Sequence, residues 1–185
     1  MGKILIFLIS AGAALAMIAV PASADKEKDK TIVDKVVEIS GTGGFDDNAG
    51  DFDILREAVL ATNLDDLLGG GRQLTVFAPT DQAFLDLTGA GNEQDAFNGV
   101  AALGLPAVAQ VLRYHLAPGR RAAKQIVHAK RIPTLLRTEV LTKSRGSTEL
   151  RDATGRTVGI FAPDAARVSN GIVHVIDGVL LPFTP

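Results

Sequence analysis

Three histidines, a few serines and two pairs of adjacent aspartates are the side chains whose chemistry invites a catalytic or metal-binding reading. Their spacing gives that reading no support. His115, His128 and His174 are far apart, and none stands in the His-Glu-x-x-His pattern that puts two ligands on one helix face. Ser40, Ser144, Ser147 and Ser169 all lie outside a Gly-x-Ser-x-Gly turn, the device that lifts a nucleophilic Oγ clear of a strand end. Ser169 reads instead as turn chemistry. Asp46-Asp47 falls in a loop and Asp65-Asp66 near a helix end; adjacency in sequence makes no acid and base pair, so both read as solvated surface. Gly69 to Gly71 follow a helical pattern and lack a Gly-Lys-Ser/Thr ending, so they form no phosphate loop. Cysteine is absent, which excludes thiolate catalysis, thiolate metal sites and disulfides. No enzyme, cofactor or metal is expected.

The elements that must hold these residues begin after a targeting segment. Residues 1–24 read as a signal peptide: Lys3 is the only charge before Asp25, Ile4 to Val20 is almost unbroken apolar sequence, and Ala22-Ser23-Ala24 offers small residues for cleavage. The competing reading is an uncleaved anchor helix, although the apolar run is short of the roughly 20 residues a membrane span prefers. Residues 25–30 (DKEKDK) read as a solvated spacer, and residues 31–185 as one domain. The chain ends without a hydrophobic tail, so neither a glycolipid anchor nor a wall-sorting signal is expected, and no membrane span is expected after cleavage. An exported chain without cysteine must be held by packing alone. With 19 basic and 21 acidic residues, it gives no reason to expect nucleic acid as partner.

The deepest element is expected at Val168 to Pro182. Asn170-Gly171 suits a two-residue hairpin turn, and Ile172 to Ile176 follows as a strand apolar on both faces except at His174. Leu74 to Phe77 reads as a second buried strand, ended by Pro79, with Thr80 placed to cap a helix from Asp81 to about Leu87. An acid at Asp81 suits the positive end of that helix. Pro106 opens another helix, in which Val108, Val111, Leu112 and His115 share one face while Tyr114 points elsewhere. Thr31 to Ile39 reads as a short amphipathic helix or a helix leading into a strand. Asp51 to Leu68 reads as helix, capped by Asp51 and interrupted at Asn63, with a loop at 41–50 and, at 88–99, a loop with at most a helical turn. On these faces His115 and His174 read as core histidines with hydrogen-bonded ring nitrogens.

TVFAPTDQAF at 75–84, RYHLAPG at 113–119 and SNGIVHVIDGVLLP at 169–182 occur in the order and at roughly the separations of the fasciclin (FAS1) domain family, which the chain resembles. Residues 148–160 resemble the family's hairpin before the last motif, whereas the Gly-rich loop at 41–50 looks longer than usual. The resemblance implies an α+β domain, a wedge of two β-sheets with α-helices packed around one end. It implies adhesion or extracellular interaction with a protein or glycan, secreted or periplasmic, with a monomer expected. Carried over by residue, it puts Tyr114 and His115 forward for partner contact. If His115 is buried, only Tyr114 and its neighbours could touch a partner. The matching Thr80, Asp81, Asn170, Gly171 and His174 look structural.

Arg120, Arg121, Lys124, Lys130, Arg131 and Arg137 make the stretch after the Tyr-His pair basic. It is either a solvated face or a docking patch for acidic glycans or an acidic protein. A second reading of the whole, a carrier for a small apolar ligand such as a pigment or lipid, has only eight Phe and one Tyr to build a stacked groove.

Overall fold

The computed structural model describes residues 29–41, 43–46, 48–137, 140–142 and 146–184. The expected signal peptide and most of the charged spacer lie outside the described residues. Helix α1 (Ile32–Ser40) starts at a capping box in which Asp34 N–H donates to Thr31 Oγ1 and Thr31 N–H to Asp34 Oδ2. It ends at Gly41, whose φ of 71° suits a residue without Cβ. Then come α2 (Asp53–Ala61), the short α3 (Asp65–Gly69), β1 (Leu74–Pro79), α4 (Asp81–Thr88), α5 (Glu93–Ala101), α6 (Leu105–Tyr114) and β2 (Leu116–Pro118). The chain continues through α7 (Ala123–His128), β3 (Arg131–Pro133), β4 (Val140–Thr142), β5 (Glu149–Arg151), β6 (Thr157–Val168) and β7 (Gly171–Ile176).

The strands bond in the order β2-β1-β7-β6-β5-β4-β3. β7 runs parallel to β1, with Phe77 beside His174, and antiparallel to β6. The long β6 joins two sheets. Its first residues pair with β5 and the rest with β7, with register shifts between Ile160 and Ala166 where the strand bends. Strand alternation then feeds two cores. Val76, Ala78, Val173 and Val175 face the helices with Ile54, Leu55 and Leu112, while Phe77 and Ile176 join Ile132, Leu141, Leu150 and Val158 between the sheets. The result is the expected α+β architecture.

Most elements stand where residue patterning puts them, and four details differ. The hairpin between β6 and β7 turns at Ser169-Asn170, with Val168 paired to Gly171, so Gly171 is already in the strand. A Cβ there would lie 2.6 Å from Leu74 O and 2.7 Å from Ile32 Cδ1, so glycine is required by close approach rather than by a turn angle. Residues 93–101 form a full helix, longer than the helical turn expected there, because Asn92 Oδ1 accepts from Asp95 N–H and caps α5. Asn63 does end α2, with φ of 53°.

The two cap assignments also change. Asp51 does not cap α2, and the Thr80 hydroxyl makes no cap bond although Thr80 is at the N-cap of α4. The two helix starts serve each other instead. Asp81 N–H donates to Asp51 O and Gln82 N–H to Ala49 O, while Asp53 and Ile54 N–H donate to the Asp81 carboxyl at 2.8 Å each. Four N–H groups orphaned by two helix ends are satisfied in one reciprocal contact.

Candidate functional site

Tyr114 and His115 end α6, and both are inside the protein. His115, 2 % exposed, bonds through Nδ1 to Val111 O at 2.8 Å, and its Nε2 accepts from Leu180 N–H at 3.0 Å. That pair of bonds requires the neutral ring with the proton on Nδ1. Burial drives its pKa down to about 4, against the opposing pulls of the Val111 bond and the Asp152 charge. Tyr114 is fully buried in the inter-sheet core with Phe77, Ile126 and Leu180. This corrects the expectation of direct partner contact at Tyr114: α6 ends between two cores, and both residues of the pair are covered. Arg113 is the exposed side chain of that last turn.

His174 is also buried, stacked 5.7 Å from Phe77. Its Nδ1 accepts from Asp164 N–H at 3.0 Å, so Nε2 carries the proton and donates to Arg121 O at 2.8 Å. Burial lowers its pKa. The core-histidine reading therefore holds for both rings, and His174 does something more specific. It anchors the strap Gly119–Ala123 from below. Thr75 Oγ1 accepts from Arg121 N–H and donates to Gly119 O, and Asp164 Oδ1 accepts from Ala123 N–H. Four polar bonds thus pin the backbone that carries the basic side chains.

On that strap and the elements after it, Arg120, Lys124, Lys130 and Arg131 are exposed and Arg121 is half-buried. Arg120 reaches Ser169 O at 2.9 Å, beside the β6–β7 turn. Lys124 rides on α7 and Arg131 on the edge strand β3. No acidic residue occurs in sequence between Asp95 and Glu139. A pinned backbone carrying exposed cations, with Asp164 beside it paired to Arg167, suits contact with an anionic surface.

Asn170 and Asp81 are structural. Asn170 Oδ1 accepts from Ile32 N–H, and its Nδ2 donates to Leu68 O and Gly70 O, tying α1 and the end of α3 to the β6–β7 turn. The Asp81 carboxyl is pushed up to about 8 by burial and by its hydrogen bond with Asp51, against the two backbone donors. An apolar cavity of about 60 Å³ lies between α1, α2 and β1, lined by Val33, Val36, Leu55, Val59 and Val76. Small-molecule pockets run upward from roughly 300 Å³. Among the described residues no single helix is long and apolar enough to cross a membrane.

A Fasciclin domain family model matches residues 50–182, and the chain belongs to that family. It is 31 % identical over 130 residues to Uncharacterized protein sll1735 of Synechocystis sp., covering 70 % of this chain and 89 % of that one. Protein sll1483 of the same organism is 34 % identical over 136 residues, covering 71 % of this chain and 67 % of the other. The transforming growth factor-beta-induced protein ig-h3 of Sus scrofa is 28 % identical over 151 residues, 81 % of this chain and 19 % of its own length. Among solved structures, a FAS1 domain pair from the insect cell adhesion molecule fasciclin I aligns with a TM-score of 0.47 and 23 % identity, covering 67 % of this chain and 43 % of that one. Fasciclin domains are generally adhesion or extracellular interaction modules, commonly extracellular or secreted.

Proposed function

We propose that this chain is an exported fasciclin-domain interaction module that binds an acidic glycan or an acidic protein surface through the basic strap and the elements after it. The observation that carries this reading is the pinned strap Gly119–Ala123, followed by exposed Lys124, Lys130 and Arg131 with no acid nearby in sequence. Cations on a fixed backbone lose less freedom on binding than cations on a loose loop. The Tyr-His pair and His174 then act from within, Tyr114 and His115 by filling the end of α6 and His174 by holding Arg121 O. Export rests on the apolar run and small-residue cleavage site of residues 1–24. Carriage of an apolar ligand has less support, since a pigment or lipid would have to lift α1 from α2 to enlarge a 60 Å³ cavity.

The test is retention on an immobilised acidic polysaccharide at rising salt. The wild-type chain should elute later than the triple variant Lys124→Ala, Lys130→Ala, Arg131→Ala, and both should release as salt shortens the Debye length from about 10 Å at 0.1 M. Retention that is equal for both proteins, or insensitive to salt, would overturn the reading.

A further inference from the structure

Where Asp46 and residues 48–51 meet the starts of α2, α4 and α5, five carboxyl groups converge. Asp46, Asp51 and Glu93 each offer an oxygen within 4.8 Å of the others, and Asp51, Asp53 and Asp81 do the same. The inner group has a cation of its own in Arg56, although neither oxygen of buried Asp53 accepts a hydrogen bond. Asp81 takes two backbone donors, and Asp53 Oδ1 lies 3.0 Å from Arg56 Nη1. Arg56 is otherwise engaged by the carbonyls of Ser40, Gly41 and Gly43 and by the Glu57 carboxylate.

The outer group differs. Asp51 is 4 % and Glu93 3 % exposed, and each has one oxygen bonded: Asp51 Oδ2 accepts from Asn48 Nδ2 at 3.1 Å, Glu93 Oε2 from Asp46 N–H at 2.9 Å. Their other oxygens, Asp51 Oδ1 and Glu93 Oε1, are buried and accept no N–H or hydroxyl bond; the hydrogen bond that Asp51 shares with Asp81 is one between two carboxyl groups. Buried carboxylate oxygens are normally paired, and two that are not, on side chains clustered with a third acid, call for a compensating positive charge.

We propose that Asp46, Asp51 and Glu93 bind a calcium ion. Every donor in the group is a carboxylate oxygen, and no histidine or cysteine belongs to it, which suits a hard cation and not zinc or copper. Asp46 is exposed, so one side stays open to solvent for the waters that complete a coordination of six to eight. Magnesium, which demands near-ideal octahedral geometry and keeps several waters, is usually bound by one or two carboxylates and not by three. The ion would join the loop to α5 and relieve the repulsion that, after burial, holds Glu93 above the usual carboxylate range. This site is built from residues separate from the basic strap.

The full chain, stripped with EGTA, is titrated with CaCl2 by calorimetry and melted with and without 5 mM CaCl2. Binding with a dissociation constant of about 1 mM or tighter is expected, together with a rise of a few degrees in Tm. Glu93→Gln should weaken binding at least tenfold. Asp46→Asn, at an exposed position, should do so with its EGTA melting temperature unchanged, which keeps the test valid if Glu93→Gln folds poorly. No binding heat and no Tm rise in the wild type, undiminished binding in Asp46→Asn, or an equal response to MgCl2 would each overturn the proposal.

Discussion

Replacing Asn170 with alanine removes a side chain that links three segments. Asn170 is almost fully buried and makes three bonds to backbone: it accepts from Ile32 N–H at 2.9 Å and donates to Gly70 O at 2.8 Å and to Leu68 O. Alanine leaves a buried donor and two carbonyls without partners. A net hydrogen bond contributes about 1 kcal/mol, and a buried group left unsatisfied costs about 1–3 kcal/mol. The Leu68 and Gly70 carbonyls sit at a helix end where water can reach part of the site, so the sum is about 3–4 kcal/mol rather than the upper limit. For a domain of this size that corresponds to a Tm lower by about 10 °C. Urea denaturation followed by circular dichroism reads it directly: the midpoint should fall while the slope m stays constant. Amide exchange adds a local signature, because α1 loses its tie to the turn and its amides should exchange faster than those of β7. Asn170→Asp keeps the acceptor for Ile32 but sets a carboxylate against two carbonyls, so it should be no more stable than Asn170→Ala. A loss below 1 kcal/mol in both variants would refute the argument that Asn170 fastens α1 to the sheet.

Gly171→Ala forces a Cβ to within 2.6 Å of the Leu74 carbonyl, so β1 and β7 must separate; a drop in Tm of several degrees is expected, and an unchanged Tm would show that the contact yields freely. His115 has a folded-state pKa of about 4 against an ordinary 6.5. Its neutral form therefore stabilises the fold fully above pH 6.5, and that contribution, about 3 kcal/mol, is lost as pH falls toward 4. The stability gap between wild type and His115→Gln, measured by urea titration at several pH values, should narrow across that window; a gap independent of pH would contradict the buried neutral ring.

Local chemistry made much of this fold legible. Prolines, glycines and the 3.6-residue spacing of Val108, Val111, Leu112 and His115 located α6, and the two-faced apolar run Ile172 to Ile176 located the central strand. Asn63 marked the break after α2 because asparagine tolerates a positive φ. What stayed hidden was long-range. Thr80 and Asp51 look like caps by position, yet the donors they would bond are taken by groups about thirty residues away. Tyr114 lies off the stripe of its helix and so reads as exposed, but a second core between the sheets waits on that side. The carboxylates of the proposed cation site come from the loop before α2 and the start of α5, and no sequence spacing announces that Asp46, Asp51 and Glu93 meet. The basic stretch was visible in sequence; that Thr75, His174 and Asp164 pin its backbone was not.

On the function proposed above, partners are met at the basic strap and not at the Tyr-His pair or the apolar cavity. Amide chemical-shift mapping of the isotope-labelled chain, titrated with an acidic oligosaccharide at low salt, tests it most directly. Shifts should concentrate in residues 119–131 and disappear at high salt. Shifts centred instead on Val33, Val36 and Val59 around the cavity, or scattered without regard to the strap, would contradict the account.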